Sequence, residues 1–233
     1  MADMLTDVYF APTPIAKKAL IDEGVLEQDI VVTGNTVIDA LKNAAEMPYS
    51  WSKGPLSSIP QEKRIVLITI HRRESFGPQL IQILIAIKDL TVKYSDSDLI
   101  FVYPVHLNPN VQESARKILN GIDNLFLINP LDYLSLVNLM KRSVLIITDS
   151  GGLQEEAPYF GIPVLIVRDV TERVEGVQAG TAKLVGTRRT RIIYEFDRLL
   201  SDSVAYSKMA KILNLYGDGH AASRIVMALM ERS

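Results

Sequence analysis

The stretch TDSGGLQEEAPYFGIPVLIVRD, residues 148–169, places Asp149, Ser150, Gly151 and Gly152 directly after one apolar run and paired carboxylates shortly before another. Glycines let a backbone approach a ligand closely, and a helix opening near Gly152 adds unpaired N–H donors with a partial positive charge. A phosphate or diphosphate suits such a turn, and the Ser150 hydroxyl can donate to it. An ordinary N-cap turn explains the same residues, because Asp or Ser before a helix is common. Neither GxGxxG nor GxxxxGK[ST] is present. Glu155 and Glu156 are expected in the first turn of that helix, where they complement its dipole. A carboxylate beside phosphate repels it unless the acid faces hydroxyls instead. A ribose diol meets that condition, so a nucleotide satisfies both features and inorganic phosphate does not.

Other residues able to do chemistry fall at similar places. His71 is followed by Arg72, Arg73 and Glu74. Adjacent arginines can take an anion in a bidentate grip, or form surface salt bridges with Glu74. His106, in YPVHLNP, reads as a ligand contact or as a histidine bonded to a loop carbonyl. Tyr133 and Leu136 stand at a helix start; Tyr133 can stack on a base or serve as a rim aromatic. Arg168, Glu172 and Arg173 mix signs in the manner of a structural ion-pair cluster, and His220 reads as a cap or surface residue.

The elements that must position these groups alternate. Strands are predicted at 8–12, 30–34, 64–70, 99–104, 125–128, 144–148, 163–167 and 182–186. Helices are predicted at 13–23, 35–44, 78–93, 110–119, 132–142, 152–160 and 173–179, with helix from 189 to the end interrupted at 214–220. Short continuous apolar strands between amphipathic helices imply an α/β fold, a doubly wound, mostly parallel, Rossmann-like sheet. Residues 46–63 hold three prolines, one glycine and four serines without apolar period, and read as a linker. In open parallel sheets ligands bind beyond the carboxyl ends of the strands. HRRES, VHLNPN, NPLDYL, DSGGLQEE and RDVTER all follow strands, whereas the segments entering them are blander.

Composition narrows the function. With 25 Lys and Arg against 27 acids, the net charge of −2 supplies no broad basic field for nucleic acid or an anionic membrane. No cysteine is present, which excludes disulfides, thiolate metal sites and a cysteine nucleophile, and fits a reducing cytoplasm. The N-terminus lacks a signal pattern, and LIQILIAI (80–87) is too short to span a membrane. The expectation is a soluble cytoplasmic protein.

Taken together, FAPT (10–13), VTGNTVIDAL (32–41), HRRESFG (71–77), VYPVHLNPNV (102–111), NPLDYL (129–134), TDSGGLQEEAP (148–158), VLIVRDVTERVEGVQAGTAKLVGT (164–187) and NLYGDGHAASRI (214–225) closely resemble the non-hydrolysing UDP-N-acetylglucosamine 2-epimerases. The resemblance implies the C-terminal half of a two-domain glycosyltransferase-B-like fold, with the active site between domains. It implies inversion at C2 by anti elimination of UDP to 2-acetamidoglucal and re-addition, with neither metal nor nicotinamide. Ser150 and the Gly151 and Gly152 amides would hold the diphosphate, and Glu156 the ribose hydroxyls. Arg173 and a catalytic His71 would bear on the phosphates and the leaving group, and the segment from Tyr133 to Leu136 would flank uracil. Leu136 stands where the family often has Phe, which weakens base stacking. Arg72 and His106 match positions that in some relatives bind a second, activating UDP-N-acetylglucosamine.

The resemblance further implies a missing N-terminal domain that carries the proton-transfer acids. Residues 1–45 would be its remnant, 46–63 the linker and 64–233 the C-terminal UDP-binding domain with its terminal helices. The expected partners are UDP-N-acetylglucosamine or UDP, with a homodimer or a separately encoded N-terminal half, and neither nucleic acid nor membrane. Alone, the chain is expected to bind UDP weakly and epimerise poorly. A hydrolysing relative and a catalytically silent nucleotide-sugar-binding module are the alternatives.

Overall fold

A computed structural model of the chain describes residues 6–232. The chain divides into two compact units, one formed by residues 47–213 and the other by residues up to 46 together with those from 214 onward.

The larger unit is built on six parallel strands, β3 (Arg64–Thr69), β4 (Leu99–Pro104), β5 (Leu125–Ile128), β6 (Ser143–Thr148), β7 (Val164–Ile166) and β8 (Ala182–Leu184), in the order β5-β4-β3-β6-β7-β8. The strand order reverses between β3 and β6, where Leu67 pairs with Ile146 and Thr69 with Thr148. Ile65 to Ile68 on β3 and Leu145 to Ile147 on β6 are fully buried. Helices on both faces cover the middle of these central strands, so the runs are continuously apolar and do not alternate. Helices α3 (Pro78–Lys93), α4 (Pro109–Leu119), α5 (Tyr133–Lys141), α6 (Gly151–Glu156), α7 (Val174–Ala179), α8 (Arg189–Ser201) and α9 (Ser203–Met209) complete the unit. Phe196 of α8 stacks on Phe101 of β4 at 5.8 Å, joining helix to sheet. The doubly wound, Rossmann-like reading holds, and the expected strands fall within a few residues of those observed.

The smaller unit pairs β1 (Tyr9–Ala11) in parallel with β2 (Ile30–Val32) and carries α1 (Pro14–Asp22), α2 (Thr36–Glu46) and α10 (Ala221–Met230). Thr13 caps α1 by accepting from Ala16 N at 3.0 Å, with Pro14 in the first turn as expected.

Two expectations require correction. Residues 214–233, expected with 64–213, belong to the smaller unit, because α10 packs on α2 and Asp39 of α2 accepts from Ala221 N and Ala222 N at 3.0 and 2.9 Å. His220, read as a cap or surface residue, does hold the N-cap position of α10 and is exposed, while the side-chain capping bonds come from Asp39. The C-terminal helical stretch also breaks earlier than expected, at Asp202 and from Ala210, where Asp202 ends α8 and caps α9 through Val204 N and Ala205 N.

Candidate functional site

Five loops leave the carboxyl ends of β3 to β7 on one rim of the sheet, and the polar residues singled out in the sequence sit on them. At the point of strand reversal the two exits are tied together. Thr69 Oγ1 lies 2.6 Å from Thr148 Oγ1, which also accepts from Ser150 N at 2.9 Å. Asp149, wholly buried, accepts from His71 N at 3.1 and 3.0 Å and from Arg72 N at 2.8 Å. Its Oδ1 stands 3.3 Å from His71 Nδ1. Burial pushes the Asp149 carboxyl above its ordinary range, against the pull of the Arg72 and His71 donors. Tyr103, also buried beside it, donates to Ile70 O at 3.1 Å.

A cavity of about 190 Å³ opens at this point, lined by residues that include His71, His106, Leu136, Ser150 and Leu153. The His71 and His106 rings stack at 5.7 Å. His106 does not donate to a loop carbonyl; its Nδ1 accepts from Asn108 N at 3.1 Å. Ser150 is the N-cap of α6, yet its side chain makes no capping bond. Gln154 Nε2 reaches back to Ser150 O at 3.0 Å and is itself anchored by Thr171 Oγ1 at 2.6 Å. The serine hydroxyl is therefore left to the cavity, which separates this turn from an ordinary cap.

Glu155 and Glu156 are not in the first turn of α6, because the helix begins at Gly151 and both acids close it. Arg173 Nε donates to the Glu155 carboxylate. Glu156, only 5% exposed, accepts from the Tyr133 hydroxyl at 3.0 Å. Burial lifts the Glu156 carboxyl to about 7, with Tyr133 opposing and Glu155 adding to the rise. The same burial and the Glu156 charge raise the Tyr133 phenol.

Arg72 pairs with Glu172 at 3.0 Å, closer than the Glu74 contact at 4.0 Å that sequence proximity suggested. Arg168 bonds Glu172 at 2.9 Å and Glu74 at 2.8 Å, so a ladder of alternating charge joins the exits of β3 and β7. Its ion-pair character agrees with the sequence reading. The ladder ends over the glycine turn: a Cβ on Gly151 would lie 3.3 Å from Arg72 Nη2 and 4.0 Å from Arg173 Cζ. The turn thus combines close approach, an uncommitted hydroxyl and two guanidinium groups.

Of the ten residues named as candidates, His71, His106, Leu136 and Ser150 line the cavity itself. Gly151, Gly152, Arg72 and Arg173 surround its glycine turn, and Tyr133 and Glu156 form a bonded pair through α5 and α6. Sequence reasoning treated Asp149 only as part of the turn. Its signal was an acid directly after the apolar run 144–147 and Thr148, where burial demands several donors.

A family model described as UDP-N-acetylglucosamine 2-epimerase matches residues 1–230. A protein of Escherichia coli K12 named UDP-N-acetylglucosamine 2-epimerase is 47% identical over 227 residues, covering 95% of this chain and 60% of its own. The crystal structure of UDP-GlcNAc 2-epimerase from Neisseria meningitidis bound to UDP-GlcNAc superposes with a TM-score of 0.90 at 42% identity, over 98% of this chain and 62% of that one. The UDP co-structure of S. aureus MnaA gives 0.89 at 43%, over 97% and 59%. The chain therefore spans about 60% of the length of the relatives it matches.

Proposed function

The chain belongs to the UDP-N-acetylglucosamine 2-epimerase family, and from that premise we propose that it supplies the UDP-binding half of an enzyme converting UDP-N-acetylglucosamine to UDP-N-acetylmannosamine. The observation that carries this reading is the turn at Ser150 to Gly152. Its hydroxyl is unused by the helix it caps, it opens on a cavity, and two arginines stand over it. Hydrogen-bond donors already fixed in place stabilise a departing diphosphate without reorganising at the moment of reaction.

In this reading Ser150 and the Gly151 and Gly152 amides take the diphosphate, with Arg173 and His71 beside it. Leu136 and Tyr133 flank uracil, and Glu156 accepts the ribose hydroxyls. Arg173 serves the phosphates while shared with Glu155, whose charge the arriving anion must compete with. Arg72 and His106 are the proposed contacts for a second, activating nucleotide sugar. In the forward direction the C1–O bond breaks, its electron pair leaves with UDP, and the C2 proton is lost on the opposite face to give the C1–C2 alkene. Re-addition of UDP after reprotonation from the other side inverts C2. The residues named here serve the leaving group and the nucleoside, and removal of the C2 proton is assigned to none of them. The proposed division is residues 1–45 as part of a further domain, 46–63 as the connection and the sheet of β3 to β8 as the UDP domain.

Calorimetric titration with UDP tests the site. Glu156→Ala is expected to abolish most binding, and Ser150→Ala to weaken it by about tenfold or more, the worth of a hydrogen bond to a charged group. Unchanged affinity in both overturns the assignment. Incubation with UDP-N-acetylglucosamine in deuterated water tests the reaction, since epimerisation writes deuterium at C2 of the nucleotide sugar. Free UDP released stoichiometrically with N-acetylmannosamine would indicate the hydrolysing outcome, and deuterium at C2 from the chain alone would overturn the expectation that it epimerises poorly by itself.

A further inference from the structure

The stacked imidazoles on the cavity wall differ in what stands behind them. His71 Nδ1 faces a carboxylate, Asp149 Oδ1, at 3.3 Å, whereas His106 Nδ1 faces a donor, the N–H of Asn108, at 3.1 Å. A neutral imidazole carries its proton on one nitrogen only, and the partner of the other nitrogen decides which. We propose that Asp149 is a positioning residue that holds neutral His71 as the Nδ1–H tautomer, while Asn108 holds His106 as the Nε2–H tautomer. The pair then presents opposite functions to the cavity, an acceptor at His71 Nε2 and a donor at His106 Nε2.

The surroundings of Asp149 favour this arrangement. It is wholly buried and accepts from two backbone donors, His71 N and Arg72 N, with the His71 ring nitrogen 3.3 Å from its Oδ1. The neighbouring titratable and charged groups are Arg72 on the same loop, Tyr103 on β4, whose hydroxyl is committed to Ile70 O, and His106 across the stack. The two backbone bonds also fix the loop that carries His71, so ring position and ring protonation have one source. A consequence follows for the ligand, and it rests on the reading of this cavity as the UDP site. Any proton exchanged between His71 and the leaving diphosphate passes at Nε2, and a sugar or phosphate oxygen gains the His106 donor without a change of tautomer.

Long-range proton–nitrogen correlation spectra of the uniformly nitrogen-15-labelled chain test the proposal directly, at a pH where the rings are neutral. The chain has three histidines, so His106→Gln and His220→Gln identify the signals by subtraction. The expected pattern is Nδ1–H for His71 and Nε2–H for His106. In Asp149→Asn the carboxamide can donate to Nδ1, and His71 is expected to switch to Nε2–H while His106 stays unchanged. An Nε2–H His71 in the wild-type chain, or an unchanged tautomer in a folded Asp149→Asn, overturns the proposal. Should Asp149→Asn fail to fold, the wild-type spectrum alone decides. Failure of UDP to bind a chain showing the expected tautomers would count against the UDP site and leave the tautomer assignment standing.

Discussion

At the scale of single residues, Glu156 carries a tension between stability and binding. Its carboxyl is raised from 4.5 to about 7 because burial penalises the charge. A folded-state pKa above the unfolded one means that the native protein keeps the proton longer. Stability linked to this group is then complete below about 4.5 and declines as pH rises toward and past 7. The full loss is on the order of 3 kcal/mol. Glu156→Gln is therefore expected to melt at a higher temperature than the wild type at pH 8 and at nearly the same temperature at pH 4, as read by calorimetry. The ionised acid is the stronger acceptor for ribose hydroxyls, so UDP affinity should fall as pH drops below about 7. Part of that fall belongs to the phosphates, and the comparison with Glu156→Gln isolates the rest: its affinity should be lower at pH 8 and its pH profile flatter. Coincident profiles would remove Glu156 from the site. The buried acid is thus kept at a cost to the fold that the proposed ribose contact would explain.

At the scale of elements, turns and caps decide how firmly each helix or strand is held. Gly161 follows the short 3₁₀ turn after α6 with φ of +67°, and a Cβ there would lie 3.1 Å from Ile212 Cγ1 and 3.2 Å from Ile212 N. Gly161→Ala should destabilise the chain by about 1–3 kcal/mol, combining a left-handed alanine with a backbone clash. Asp39→Ala removes two capping bonds from α10 and should cost about 1 kcal/mol in chemical unfolding. These two sites also show what the sequence could and could not disclose. Apolar runs such as RIVLITI and LIFVYP revealed their strands because a buried parallel sheet leaves no polar alternation. The Thr13–Pro14 cap was legible because donor and acceptor lie three residues apart. Asp39 and Ala221 are far apart in sequence, so no local pattern linked them. Glu156 was singled out as an acid near the turn, yet its partner Tyr133 came from another helix and its burial from the packing of both. Asp149 was read only as part of the turn for the same reason, since its donors come from a different strand exit.

At the scale of the whole molecule, the parallel sheet sends every strand of the larger unit toward one rim, and the proposed ligand contacts gather there. Hydrogen exchange should therefore slow on UDP addition at residues 69–74, 104–108, 129–136 and 148–156. Protection spread evenly over the chain, or confined elsewhere, would contradict the site. Among the described residues no helix is long and apolar enough to cross a membrane. The opposite rim, where the chain enters β4 and β5, carries exposed Asp96 and Asp123 and none of the proposed contacts. Because the sequence contains no cysteine, a thiol introduced at either position would be chemically unique. A fluorophore or surface tether attached there would leave the proposed nucleotide face of the larger unit pointing away from its support.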